Sequence, residues 1–301
     1  MSQSSPEHSF RWPGGKRIAV YLNAMLEVWG EGKAPTYSVQ TTGLKKDYVD
    51  HGGISWSRYG GNVGVWRVLR VLDHFGIKGT FCANSMCAEA YPAAIEQIVK
   101  SGHELAGHGV WQEQIMPEMT SEEQRKNIKT CLDMFEKATG KRPIGWKSPV
   151  LAWTPEVLDY LTQEKLLWFG DFKDSDHPRR IRTKSGSIVA IPASEFTDNR
   201  TLRGSPMDYF DLYKNTFDYL YRYEPGSILN LSVHCHWGGR PPIMAMVEKI
   251  LTYITSFPDV WLPTEEEIAE YMNAQDFDEL WYAERYFGLP AAKAKPRLPL
   301  A

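Results

Sequence analysis

The chain has 301 residues, 43% hydrophobic and 24% charged, an ordinary composition for a globular protein. A net charge of −3 with scattered Lys and Arg lacks the basic footprint of a nucleic-acid binder. No apolar run of about 18 residues is present to cross a membrane, and the polar opening Met1–Phe10 lacks the apolar core of a signal peptide, so a cytoplasmic location is expected.

The length admits one large α/β barrel or two smaller domains. The four cysteines Cys82, Cys87, Cys131 and Cys235 form no C-x-x-C pair and are expected to be reduced.

In chain order, Arg17–Leu22 predicts a first strand. Val28–Tyr59 is Gly-rich and without clear periodicity, which suits a lid, a binding loop or an interface arm. Asn62–Phe75 carries Val65, Leu69 and Leu72 at helical spacing and stops at Gly76. A strand over Lys78–Ala83, a helix over Tyr91–Lys100 and a short strand from Glu104 follow. Thr120-Ser121-Glu122-Glu123 is a capping box, and its helix ends at Gly140. Further strands are predicted over Pro143–Trp146, Leu166–Phe169, Ser187–Ile191, Ile228–Val233 and Val260–Trp261. Helices start after Thr154 and Thr264. The ending Pro290–Pro299 reads as an irregular or partner-packed arm. We expect a single domain over 1–301, with a barrel core at 10–275 and a C-terminal arm at 276–301. The loop and arm predict a homo-oligomer, because ordering such segments alone is costly.

Alternating strands and helices predict a parallel sheet, open or closed into a (β/α) barrel. In such barrels chemistry sits at the carboxyl ends of the strands. Reading at or just past each strand gives Asn23 and Glu27, then Asn84, His108, Lys147, Asp171, Glu195, and His234 with His236. Each signal is weak alone, and their joint position marks a site. The ordinary readings stand beside it. Lys147 reads equally as a surface lysine, and the run Asp171, Asp174, Asp176 suits turn capping. His103 suits a turn contact, and most tryptophans suit the core. Cys235, between two histidines, should face away from both by strand alternation. Trp111 and Trp237 stand beside histidines and could line a pocket for a flat ring.

Several stretches carry a family likeness: Trp12–Val20, Gly64–Arg67, Gly102–Glu104, Gly140–Trp146 and His234–Pro241. Over nearly its whole length the chain resembles the polysaccharide deacetylase (NodB-like) superfamily. The resemblance implies a deformed (β/α) barrel. It also implies a metal-dependent N-deacetylase, with an Asp-Asp pair after the first strand and two histidines four or five positions apart. This chain departs from that pattern. Asn23-Ala24 stands at the Asp-Asp position, and Gln112 at the second histidine after His108. Lys147 replaces the arginine of the family's R-x-P motif. Asn and Gln are poor Zn ligands, so metal loss is expected and no cofactor is assigned, Zn being the alternative.

The chain is also similar to the metal-independent allantoinase-like and cyclic-imide-hydrolase-like branch. The likeness lies in its Trp12-Pro13-Gly14 opening, Glu27, the run Asp171–Pro178, and His234-Cys235 before Gly239-Arg240-Pro241. The form Trp146-Lys147-Ser148-Pro149 departs from the allantoinase-like pattern and leans toward a cyclic imide. The expected activity is therefore opening of a C–N bond in a small cyclic amide, an imide or a ureide. In this scheme Glu27 or Asp171 activates water. His108 and His234 donate a proton or hold the oxyanion with Lys147. Asn23, Asn84, Trp111, Gln112, Glu195, His236 and Trp237 bind substrate. The alternatives are a Zn-dependent carbohydrate N-deacetylase, and an inactive protein that binds a carbohydrate or a partner.

Overall fold

The structure is a computed structural model, and it describes residues 10–38, 44–45, 48–194, 196–201 and 204–295. The first strand, β1 (Ile18–Leu26), is buried at all nine positions. Both of its faces are therefore covered, as in a parallel sheet flanked by helices. Its alternate residues divide between two cores. Ile18, Val20, Leu22, Ala24 and Leu26 pack outward against the helices, including Val65, Val68 and Leu72. Ala19, Tyr21 and Met25 face inward with Trp12, Cys82 and Trp168. Period-two alternation then continues the inward face to Glu27, just past the strand end.

The other strands are β2 (Thr80–Ala83), β3 (Glu104–Gly107), β4 (Gly145–Trp146), β5 (Trp168–Phe169), β6 (Arg179–Thr183), β7 (Gly186–Ala190), β8 (Ile228–His234) and β9 (Val260–Trp261). The sheet order is β6-β7-β5-β4-β3-β2-β1-β8, with β9 on the start of β1. Every pairing is parallel except β6 with β7. The sheet is curled into a deformed (β/α) barrel, with β6 and β8 as its edges.

Local chemistry sets the helix ends. Thr120 and Glu123 exchange side-chain and backbone hydrogen bonds at the start of helix Ser121–Thr139, and Gly140 closes it in the left-handed region at φ 74°. Gly76 does the same for helix Val65–Phe75 at φ 64°.

Three expectations are corrected. His51–Tyr59 is helical and runs through a π-turn at Gly60–Gly64 into Val65–Phe75, so the 28–59 segment is not all loop. Adjacent glycines hid its periodicity. Arg179–Thr183 forms a hairpin with β7, and its arginines masked the strand signal. In the described part of the C-terminal arm, Tyr282–Phe287 and Ala291–Ala294 are short helices. Helices Pro206–Tyr223 and Pro241–Thr255 complete the outer layer. Among the described residues no helix is long and apolar enough to cross a membrane.

Candidate active site

The carboxyl ends of the strands converge on Glu27. The residue is 3% exposed, and its carboxylate is ringed by three imidazoles. Oε1 lies 3.6 Å from His108 Nε2 and 4.0 Å from His234 Nε2. Oε2 lies 3.2 Å from His236 Nδ1, without the alignment of a hydrogen bond. Burial alone would push the Glu27 carboxyl up; the cationic field of His234 and contacts with His108 and His236 outweigh it and hold it at about 2.

The two histidines beside Oε1 have different partners at Nδ1. His108 Nδ1 lies 2.6 Å from the Lys147 carbonyl, which can only accept, so Nδ1 donates. With Nδ1 tied there, the His108 ring presents Nε2 to Glu27. His234 Nδ1 lies 2.6 Å from Asp198 Oδ1, and its backbone N–H donates to Asp198 Oδ2 at 2.6 Å. Burial pulls the His234 pKa down, but Asp198 and Glu27 more than offset this and raise it to about 9. His234 is thus an imidazolium at neutral pH. His236 is held at about 4, chiefly by burial, and its Nε2 lies 3.2 Å from the Tyr37 hydroxyl.

A cavity of about 420 Å³ opens onto this cluster. Glu27, His108, His234 and Gln112 line its polar floor. Met25, Val150 and Leu151 give it an apolar wall. Val150 (φ 53°) and Leu151 (φ 55°) are both left-handed, a costly conformation for a β-branched residue. Asp171 holds the turn before them, since both of its oxygens accept from the Ser148 N–H at 3.0 and 3.1 Å. Burial raises the Asp171 pKa to about 6.

The structure brings Glu27, His108, Gln112 and His234 to the cavity, and sets His236 against Glu27. The other expected residues fall elsewhere. Lys147 Nζ does not reach the cavity. It points down the barrel to Glu265 Oε1 at 3.2 Å and to Asn23 Oδ1 at 3.4 Å. What Lys147 offers the site is its carbonyl. Asn23 sits within β1 rather than past it, and donates to Glu265 Oε2 at 2.7 Å. Asp171 buttresses a loop and does not line the cavity. Asn84 is scaffold: its Oδ1 accepts from Val28 N–H at 3.0 Å, and its Nδ2 donates to the His108 carbonyl and to Gln112 Oε1. Trp111 lines a second cavity of about 450 Å³ with Trp29 and Tyr91. Trp237 donates to the Asp198 carbonyl and lines neither cavity. Glu195 lies outside the described residues. Cys235 packs in the outer core, where burial raises its thiol pKa, and His103 Nδ1 accepts from Gly79 N–H as a turn contact.

Asp198 and Tyr37 are the residues that sequence reasoning missed. Asp198 follows β7 by eight residues, past the strand-end position read there, with no spacing that ties it to His234. Tyr37 lies in a segment without periodicity.

Residues 55–166 match the family model described as polysaccharide deacetylase. Over that stretch the chain is similar to polysaccharide deacetylases. Similar to it is the peptidoglycan deacetylase of Helicobacter pylori, 25% identical over 72% of this chain and 86% of that protein. So is a peptidoglycan deacetylase-like protein of Gibberella zeae, 24% identical over 70% and 75%. The crystal structure of PuuE allantoinase superposes with a TM-score of 0.79 at 26% identity, covering 91% of this chain and 95% of that one.

The residues do not fit the metal that the resemblance to the polysaccharide deacetylase superfamily implies. Asn23 is committed to Glu265 and Lys147 inside the barrel, and the Gln112 oxygen is taken by Asn84. Among the described residues, no three His, Cys, Asp or Glu side chains are arranged to hold a metal ion.

Proposed function

We propose that this hydrolase-family chain opens the C–N bond of a cyclic amide, an imide or a ureide ring, with its own side chains as acid and base. The observation that carries the reading is the contrast between His108 and His234 across one buried carboxylate. His108 is tied through Nδ1 to the neutral Lys147 carbonyl, and His234 is held as a cation by Asp198.

The steps balance without any added group. A water touching His108 Nε2 and Glu27 Oε1 attacks the ring carbonyl carbon and gives its proton to His108. Glu27, ionised down to about pH 2, steadies the imidazolium that forms. It is too weak a base to be the main proton acceptor, which revises the role expected from sequence. The His234 imidazolium donates to the carbonyl oxygen as negative charge builds there. The ring C–N bond then breaks, the nitrogen takes a proton from His108, and a carboxyl group is left. A ring nitrogen conjugated to a second carbonyl departs more readily than a simple amide. That suits a site that works by hydrogen bonds and proton transfer alone. The likeness to PuuE allantoinase supports this class.

A second reading, N-deacetylation of a glycan, is favoured by the names of the curated relatives. One experiment separates the two. Chelator-treated protein is given succinimide, hydantoin and allantoin, and ring opening is followed by ultraviolet absorbance. Turnover that persists without metal is expected. No ring opening, together with Zn-dependent acetate release from acetylated glycans, overturns the proposal.

A further inference from the structure

We infer that the substrate carries an anionic arm, best met by a carboxylate, and that Lys173 is the specificity-determining residue that seats it. This rests on the ring-opening reading above and goes on to name its substrate class.

The first observation is space. A bare imide or hydantoin ring leaves most of a 420 Å³ cavity empty, and close-packed sites seldom waste such volume. The second is charge. Lys173 is the sole Lys or Arg among the described residues lining the cavity, and it is exposed. Its ammonium has no ion pair or hydrogen bond among the described residues. The adjacent Asp174 is engaged by Arg179 at 2.9 and 2.7 Å and is not free to neutralise it. Asp176 belongs to the neighbouring cavity, which Lys173 also lines. Glu27 is the one carboxylate among the lining residues, and its charge is met by the histidines.

The third observation is a wall of donors beside Lys173. The Ala193 N–H donates to the Phe172 carbonyl at 2.8 Å, which brings Ser194 next to Lys173. Ser194 lines the cavity there, its Oγ accepting from the Phe196 N–H. Thr197 donates to Asn199 Oδ1, and both residues line the cavity. An ammonium, a hydroxyl and an amide N–H₂ on one wall complement a group with several acceptor oxygens and negative charge. The arm lies at the opposite end of the substrate from the attacked carbonyl on Glu27, His108 and His234.

The test uses a matched pair, hydantoin and hydantoin-5-acetate, which share a ring and differ by a carboxylate. For the wild-type chain at low salt, kcat/KM is expected to favour the acid by about ten-fold or more, and the preference should shrink as salt rises. Lys173→Met should lower kcat/KM for the acid at least five-fold more than for hydantoin, chiefly through KM. Lys173→Glu should reverse the preference. Equal effects on the two rings, or no preference in the wild type, overturn the assignment. If neither ring is opened, calorimetric titration of both compounds decides. Tighter binding of the acid that Lys173→Met abolishes upholds the anionic seat while the ring-opening reading falls. Equal binding, or none, overturns the seat.

Discussion

The Asp198 carboxylate grips His234 at two points, taking the ring Nδ1–H with one oxygen and the backbone N–H with the other, each at 2.6 Å. It thereby fixes the rotamer and the charge of His234 together. The imidazolium state lasts to about pH 9. Activity should therefore fall on the alkaline side as pH rises through about 9. In Asp198→Asn that limb should move down toward the ordinary histidine value of about 6.5, with the rate at pH 8 falling more than ten-fold. A pH–kcat profile of both proteins checks this. An unmoved limb assigns the proton to another group.

The same pair makes a stability prediction. His234 binds its proton more tightly folded than unfolded, so its contribution is complete below about 6.5 and is lost as pH rises to about 9. Thermal melts should show the wild type losing up to about 3 kcal/mol across that window. Asp198→Asn should show a flatter profile. Equal slopes in the two proteins would remove His234 from the account.

Glu27→Gln keeps the shape of the side chain and removes the charge that stabilises both imidazoliums. A loss in kcat of about 10²–10⁴ is expected, with a smaller change in KM. The alkaline limb should also shift down, because Glu27 helps to raise His234. Full activity in this variant would dismantle the proposed scheme.

Lys147 and Glu265 are both inside the barrel, 1% and 0% exposed at the side chain. Lys147→Met strands a buried carboxylate and should cost about 3–5 kcal/mol of stability. Adding Glu265→Gln should recover a large part of it. Since the Lys147 carbonyl survives in both variants, kcat of the folded fraction should change far less than stability. A collapse in kcat with an unchanged melting temperature would restore Lys147 to the catalytic role expected from sequence.

Much of this was legible in the chain. The strand-end positions of Glu27, His108 and His234 follow from hydrophobic patterning and from where barrels place chemistry. The fate of Lys147 was not legible. Its strand end is right, but the direction of a long side chain depends on a partner 118 positions away, Glu265. Asp198 was hidden for a similar reason, because its meeting with His234 is made by folding and leaves no spacing in sequence. Trp111 and Trp237 show the limit of adjacency: Trp111 lines a second cavity, which Glu27 also borders, and Trp237 donates to the Asp198 carbonyl.

Gly64 lies where the π-turn meets the turn that bears His234 and His236. A Cβ added there would stand 1.8 Å from the Cys235 carbonyl oxygen and 2.7 Å from its carbon. Both are backbone atoms, so the turn itself must move. Gly64→Ala should cost about 3 kcal/mol or more and lower kcat with it. Gly76→Ala, at positive φ but with nothing within 4 Å of the new Cβ, should cost only about 1 kcal/mol and leave kcat alone. Melting curves and steady-state rates of the two variants check the contrast.

At the mouth of the cavity, Val150 and Leu151 hold two successive left-handed conformations that Asn or Gly would adopt more easily. Selection for heat resistance alone should therefore replace them readily, whereas selection for turnover should keep the bulky wall they supply. Libraries sorted by these two criteria should part company at residues 150 and 151, so this short turn is a place where durability and catalysis can be dialled against each other.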